Sequence, residues 1–160
     1  MELYHGSIER VESPEIRVPN RTLDYGNGFY LTSSYEQAKS WVRRKFKGDI
    51  HRGWVNVYAY NEDMERELSV LEFDKPNEEW LDFVMSNRMD KTYTHCYDIV
   101  KGPVANDRVY ASFALYEAGI LSKATLIAEL KTYKLVNQIL LHTEAALKSI
   151  LFIKAEEVLK

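Results

Sequence analysis

Two short segments, Leu3-Tyr4-His5-Gly6-Ser7 and Asp24-Tyr25-Gly26-Asn27-Gly28-Phe29-Tyr30-Leu31-Thr32, decide how this chain is interpreted. Each places a polar ring where a predicted strand meets glycine, and glycine lets a ligand approach the backbone closely. A long irregular stretch separates them, which is uncommon in a compact domain unless it has a function. The two segments therefore predict a site for a flat polar ligand, with the intervening stretch as a lid or binding loop.

The composition indicates one compact domain spanning residues 1–160. The chain has 160 residues, of which 46% are hydrophobic, and chains of this length usually bury a single core. The net charge of -3 gives no overall attraction to nucleic acid or to anionic membranes. A basic cluster, Arg43-Arg44-Lys45 with Lys47 and Arg52, is more typical of a solvated helix face than of a phosphate-binding track.

Cysteine usage and hydropathy predict a cytoplasmic protein with no membrane contact. Cys96 is the single cysteine, so no internal disulfide can form. The first ten residues lack the apolar segment of a secretion signal, and no apolar run approaches the ~18 residues of a membrane span.

Residue periodicity predicts an α+β fold. Ser34 and Gln37 form a capping-box pattern that opens a helix over residues 34–47, and Asn77 opens another that ends near Arg88. We expect the strand at 68–73 to pair with the strand at 54–60, and a glycine-proline turn at Gly102-Pro103. The other predicted strands are 2–5, 28–32, 97–100, 137–142 and 149–154, and the other helices are 109–118 and 122–131.

Several common sites are disfavoured by their missing motifs. No glycine-rich phosphate loop followed by Lys-Ser/Thr is present, and Gly26-Asn27-Gly28 enters a strand and not a helix, which disfavours a Rossmann site. The four histidines and Cys96 lack the spacing of metal ligands, so we expect no metal. Nothing marks a nucleophile elbow, so covalent catalysis is disfavoured.

The two opening segments resemble the first two conserved blocks of the ADP-ribosyltransferase superfamily, in the diphtheria-toxin and poly-ADP-ribose-polymerase branch that uses His, Tyr and usually Glu. The remaining chain resembles a bacterial family of small ADP-ribosyltransferase-like proteins assigned as a domain of unknown function. The segments that carry this second resemblance are Gln37-Ala38 with Trp41, Trp80-Leu81-Asp82-Phe83, Tyr97-Asp98-Ile99-Val100, residues 102–107 and Asn137-Gln138-Ile139. The resemblance implies an ADP-ribosyltransferase-like fold, with two small, mostly antiparallel sheets that form an NAD cleft between flanking helices.

The resemblance also implies roles for individual residues. His5 would hydrogen-bond a ribose hydroxyl of NAD, the Gly6 backbone would receive the nicotinamide amide, and Tyr30 would stack on the nicotinamide ring. Arg88 is a candidate for the NAD phosphates because guanidinium pairs well with phosphate, although a surface charge at a helix end is the plainer interpretation. The remaining predicted cofactor contacts are Ser7, Tyr25, Gly28, Phe29 and Thr32.

The third catalytic position departs from the family pattern. Gln138 stands where the acid is expected, and a glutamine can position a ribose hydroxyl without supplying the negative charge that stabilises an oxocarbenium-like transition state. Asp107 is the first candidate for a substitute acid and Glu144 the second. Asp98, Asn106 and Asp107 are expected to group around the predicted turn, where helix capping is an equally good interpretation. Alternatively, Gln138 is an exposed strand residue.

The resulting expectation is an NAD-dependent mono-ADP-ribosyltransferase that acts on a macromolecular acceptor, either protein or nucleic acid. By analogy it would be a bacterial toxin or effector, with a small helical antitoxin as partner. The alternative is a catalytically inactive module of the same fold that binds NAD, ADP-ribose or a protein. A third class, an RNA-processing enzyme that transfers phosphate, would need a basic cleft that this acidic chain does not predict.

Overall fold

The computed structural model describes residues 1–18, 22–105, 107–133 and 135–160. Seven strands, five α-helices and one 3-10 helix (Glu62–Glu67) are seen in these residues. The strands are β1 (Glu2–Ser7), β2 (Phe29–Leu31), β3 (Arg52–Tyr60), β4 (Val70–Glu72), β5 (Ile99–Pro103), β6 (Asn137–Leu141) and β7 (Ile150–Leu159). The helices are α1 (Tyr35–Arg44), α2 (Glu78–Met89), α3 (Asp107–Glu117), α4 (Lys123–Leu130) and α5 (Glu144–Leu147).

The strands form two small sheets. Sheet A has the order β1-β3-β7 and is antiparallel throughout. Sheet B has the order β2-β6-β5-β4, with one parallel pair between β4 and β5. The α+β class with two small, mostly antiparallel sheets and flanking helices is therefore confirmed.

Three apolar clusters separate four layers. Helix α1 packs its buried Ala38 and Val42 on one face of sheet A, and the other face of sheet A packs on sheet B through residues such as Leu3 and Leu31. The largest cluster lies between sheet B and the helices, and includes Trp80 of α2. Sheet A is therefore covered by α1 on one face and by sheet B on the other, and sheet B is covered by sheet A and by the helices.

The helix starts follow the capping pattern read from the sequence. The Ser34 hydroxyl accepts a hydrogen bond from the Gln37 N–H at 3.2 Å, and the Asn77 side chain accepts one from the Trp80 N–H at 2.9 Å. Each cap satisfies a donor that the first helical turn leaves without a partner.

Two predicted features of the strands are wrong. Val70–Glu72 pairs with β5 in sheet B and not with the strand at 54–60, whose two edges are already occupied by β1 and β7. Gly102 and Pro103 continue β5 opposite Gln138 and Asn137, so no turn forms there. The strand predicted at 149–154 extends to Leu159, because an edge strand tolerates charged residues such as Glu156 and Glu157.

Tyr25 anchors the end of the long loop in the core. Its side chain is fully buried, its hydroxyl donates to the Pro103 carbonyl at 2.9 Å, and it accepts from the Trp80 indole N–H at 2.9 Å. A Cβ on Gly102 would lie 2.4 Å from the Tyr25 oxygen, so only glycine fits beneath the ring. Burial raises the pKa of Tyr25, and the hydrogen bond that it accepts from Trp80 lowers it in part.

Among the described helices, none has both the length and the apolar character required for crossing a membrane.

The anchoring role of Tyr25 predicts an asymmetric effect of removing its hydroxyl. Tyr25→Phe leaves the Pro103 carbonyl and the Trp80 N–H without partners, so we expect a loss of about 2–4 kcal/mol in the free energy of unfolding, measured by urea denaturation. Tyr116→Phe is the matched control, since no hydrogen bond from the Tyr116 hydroxyl is seen within the described residues, and it should change stability by less than ~0.5 kcal/mol. Equal effects of the two substitutions would contradict the role assigned to Tyr25.

Candidate functional site

Within the described residues, the backbones of the two sheets pair at one bridge, between Tyr4 at β1 and Thr32 just after β2. The Tyr4 N–H donates to the Thr32 carbonyl and the Thr32 N–H donates to the Tyr4 carbonyl, both at 2.9 Å, as an isolated antiparallel bridge. Continuing the antiparallel register by two residues places Gly6 opposite Tyr30, outside the bridge. The two strands therefore diverge into a gap that begins beside His5 and Gly6.

Gly6 turns its peptide groups toward this gap. Hydrogen-bonding edges alternate along a strand, so Gly6 presents its N–H and C=O on the same edge as Tyr4. The Gly6 carbonyl lies 3.4 Å from the Lys45 ammonium, which brings a cation to the gap. A Cβ on Gly6 would lie 2.1 Å from the Ala38 carbonyl, so glycine is also what allows α1 to pack this closely on β1.

The His5 imidazole is fixed in position and in protonation state. Its ring stacks on Phe29 with 4.2 Å between ring centroids, and its Nδ1 lies 2.7 Å from the Tyr30 carbonyl. A carbonyl can only accept, so Nδ1 carries the proton and Nε2 is left as an acceptor in the neutral ring. Burial lowers the pKa of His5 to about 4, despite the opposing effect of the Tyr30 carbonyl, so the ring is neutral at pH 7.

Tyr30 binds the loop that precedes it. Its hydroxyl donates to the Gly26 carbonyl at 2.6 Å and accepts from the Tyr25 N–H at 3.0 Å. Its half-buried ring packs on the helix side of sheet B, and burial raises its pKa well above the usual value for tyrosine. His5 and Tyr30 therefore meet through the hydrogen bond from the His5 imidazole to the Tyr30 backbone carbonyl. Their rings do not meet, because the His5 ring lies with Phe29 on one face of sheet B and the Tyr30 ring lies on the other.

Gln138 is buried, so the interpretation as an exposed strand residue is wrong. It retains 5% exposure, and no hydrogen-bond partner of its Nε2 is seen within the part of the chain that the structure describes. It shares a sheet face with Tyr30, because Tyr30 pairs with Leu140 and Gln138 lies two residues before Leu140 on β6. A buried N–H without an acceptor is costly, which makes this amide a candidate ligand contact.

The other predicted cofactor contacts have structural partners. The Thr32 hydroxyl donates to the Asn137 carbonyl at 2.8 Å, and the Ser7 hydroxyl accepts from the Glu9 N–H at 3.1 Å. Gly28 has a φ of 151° and would place a Cβ 2.4 Å from the Leu141 carbonyl, so it lets the loop enter β2. The fully buried Tyr25 offers no side-chain surface to a ligand, and Phe29 supports the His5 ring.

Arg88 connects the helices to the loop. Its guanidinium lies 3.3 Å from Asp24 and 3.4 Å from Glu117, and it covers the rings of Tyr110 and Phe113, each 5.3 Å away. Two carboxylates already balance its charge. The arrangement accounts for Arg88 as a link between α2, α3 and the loop, and its binding of phosphate stays a prediction.

The candidate acids are dispersed. Asp107 begins α3, but its side chain, like all of Asn106, lies outside the described residues. The prediction that Asp98 groups around Gly102-Pro103 is wrong, because Asp98 lies just before the first residue of β5 and Gly102-Pro103 are its last two residues. The Asp98 carboxylate accepts hydrogen bonds from the Ser69 N–H and the Thr143 hydroxyl, and both contacts lower its pKa. Glu144 lies in the first turn of α5 beside its cap Thr143, the position that favours an acid at a helix start.

Sequence reasoning missed a pair of histidines whose rings contact each other at a tilt of 34°. His95 and His142 lie 4.2 Å apart, and they line a cavity of about 250 Å³ together with Gly26 and Asn27. They are 47 residues apart in sequence, so no spacing pattern could have revealed the pair. Within the described ranges, no three His, Cys, Asp or Glu side chains come together as a metal site would require.

The neutral His5 predicts a loss of stability in mild acid. Its pKa is about 4 when folded against about 6.5 when unfolded, so between these values the unfolded chain binds the additional proton and folding weakens as the pH falls. We expect the free energy of unfolding to fall between pH 6.5 and 4.5, and to fall less in His5→Asn, which keeps a donor for the Tyr30 carbonyl but cannot titrate. His95, whose pKa burial also lowers, contributes equally to both proteins. Identical pH profiles from urea denaturation would contradict the assignment.

Comparisons with known proteins place the chain in a family. Comparison with curated proteins gave no match. A family model described as "Protein of unknown function (DUF3990)" matches residues 1–152, which is nearly the whole chain. The chain therefore belongs to the DUF3990 family of proteins of unknown function.

Proposed function

We propose that this protein is an NAD-dependent mono-ADP-ribosyltransferase with an ADP-ribosyltransferase-like fold, whose NAD site is the gap between β1 and β2. The observation that carries the proposal is the neutral His5 next to Gly6 at the point where the two sheets separate. The Nε2 of His5 is an acceptor suited to a ribose hydroxyl, and the Gly6 peptide suits a carboxamide, which needs one donor and one acceptor.

Charge at the gap supports a dinucleotide. The Lys45 ammonium contacts the Gly6 carbonyl, and a cation at this edge would favour the pyrophosphate of NAD. No metal is needed for this binding mode. In the proposed complex NAD passes through the gap from one face of sheet B to the other, because Tyr30 and Gln138 lie on the face opposite the His5 ring. Tyr30 stacks on the nicotinamide while its hydroxyl keeps the loop in place, and Gln138 donates from Nε2 to a ribose oxygen.

The chemistry requires the bond between nicotinamide and ribose to break while an acceptor atom attacks the ribose carbon. Nicotinamide leaves as a neutral molecule, so positive charge develops on the ribose ring as the bond lengthens. Gln138 supplies a dipole and no full charge, which predicts slow transfer of a single ADP-ribose and no polymer. A macromolecular acceptor, a toxin or effector role and a small helical antitoxin belong to this proposal by fold analogy alone.

A second candidate is a non-catalytic module that binds NAD or ADP-ribose. The specific observation in its favour is again Gln138, a neutral side chain where charge stabilisation is needed. The two candidates differ in turnover and agree on binding, so release of nicotinamide separates them.

The catalytic candidate predicts that nicotinamide release depends on His5. We expect His5→Ala to lower the rate of NAD-dependent nicotinamide release about 100-fold, because the ribose loses its positioning contact. His51→Ala, an exposed histidine whose side chain has no partner within the described residues, is the control and should leave the rate unchanged. If the wild type binds NAD and releases no nicotinamide with any protein or nucleic-acid acceptor, the binding module is supported instead.

The buried Gln138 amide predicts that replacing this residue weakens NAD binding while it changes the stability of the protein little. Since no hydrogen-bond partner of its Nε2 is seen among the residues that the structure describes, Gln138→Met should cost less than about 1 kcal/mol in stability by thermal unfolding. NAD affinity measured by calorimetry should fall about tenfold, because the proposed hydrogen bond from Nε2 to a ribose oxygen is lost. Unchanged NAD affinity in the folded variant would show that Gln138 does not touch the dinucleotide.

A further inference from the structure

We infer that the cavity beside His95 and His142 is a binding site for the guanidinium group of an arginine side chain on a protein partner. The cavity lies at the end of β6 and the start of β2, opposite the end of sheet B that carries Gln138. Its lining includes His142, Asn87, Asp90 and Tyr93. This inference stands apart from the proposed transferase, because no part of it requires NAD.

Hydrogen bonds to the backbone fix both histidine rings. The His95 Nδ1 accepts from the Tyr97 N–H at 3.2 Å, so its Nε2 carries the proton and donates to the Tyr25 carbonyl at 2.8 Å. The His142 Nδ1 donates to the Asn27 carbonyl, which leaves the His142 Nε2 as an acceptor in the neutral ring. Within the described residues no donor to that nitrogen is seen, so His142 contributes an open acceptor.

Other lining groups also accept hydrogen bonds. The Nδ2 of the buried Asn87 donates to the Phe83 carbonyl at 2.9 Å. The Asn87 Oδ1 lies beside Gly26, 3.1 Å from where a Cβ on that glycine would be. The Asp90 carboxylate accepts from the Thr92 N–H at 2.9 Å and the Thr92 hydroxyl at 2.6 Å. Both contacts lower the pKa of Asp90, so the carboxylate stays ionised.

These groups match a guanidinium better than other ligands. A guanidinium has only donors, is planar and stacks on aromatic rings, whereas nucleobases carry acceptors that would face the cavity acceptors without partners. Tyr93, which is 40% exposed, and the histidine pair supply ring surfaces. Asp90 supplies an opposite charge, and Lys91, which also lines the cavity, is an exposed residue whose long side chain can extend into solvent.

A pair of small ligands tests the site directly. N-acetyl-arginine methylamide should shift the NMR signals of the His95 and His142 rings saturably, with a Kd of about 1 mM, which is typical of one side chain in a small site. The citrulline counterpart has the same length, and a carbonyl acceptor replaces one NH2 group, which removes two N–H donors and the charge. We expect it to bind at least ~10-fold more weakly.

Variants separate recognition from folding. His142→Asn keeps a donor for the Asn27 carbonyl and removes the second nitrogen, so arginine binding should be lost while thermal unfolding is unchanged. Asp90→Asn keeps the oxygen that accepts from Thr92 and should weaken binding about fivefold. Asp74→Asn, an exposed acid outside the cavity lining, should have no effect. Equal affinity for arginine and citrulline, or no shift at about 50 mM arginine derivative, would overturn the inference.

Discussion

The structure depends on the backbone bridge between Tyr4 and Thr32, because there, within the described residues, a strand of sheet A pairs with the end of a strand of sheet B. Two hydrogen bonds of 2.9 Å hold β1 beside β2, and immediately beyond them the strands separate. The imidazole of His5 spans the start of that separation by donating to the Tyr30 carbonyl. Gly6 follows with its peptide groups turned into the gap. An ordered acceptor on His5, next to a glycine peptide whose carbonyl contacts Lys45, is a consequence of where the sheets diverge.

The loop before β2 connects this gap with the rest of the molecule. Its backbone carbonyls at Tyr25, Gly26 and Asn27 receive donors from His95, Tyr30 and His142 respectively. The Tyr25 side chain fixes the same loop to β5 and α2 through two buried hydrogen bonds. Residues 24–28, which the sequence suggested as part of a lid or binding loop, are therefore held to the core of the domain by these hydrogen bonds. Their conformation sets the position of the Tyr30 ring and forms one wall of the histidine cavity.

Local patterns predicted the elements, but not how they pair. Ser34 and Asn77 cap their helices as the sequence indicates, since a cap depends on residues three positions apart. The partner of β4 depends on which strand edges are already occupied, and alternation within one strand does not contain that information. The burial of Gln138 and the contact between the His95 and His142 rings arise from segments that are far apart in sequence. The placement of His5 and Gly6 on one strand could be predicted because it is local, whereas the burial of Tyr25 could not, because it depends on Gly102 and Trp80.

The most direct test of the account is a titration of the uniformly ¹⁵N-labelled protein with NAD under conditions without an acceptor, followed by NMR. The account predicts that the Gly6 amide, the His5 imidazole nitrogens and the Gln138 side-chain amide shift together with one saturation curve. It also predicts that the His5 Nε2 responds as an acceptor in a neutral ring at pH 7. A titration in which these three groups do not move, or in which NAD shifts only residues away from the β1–β2 junction, would contradict it.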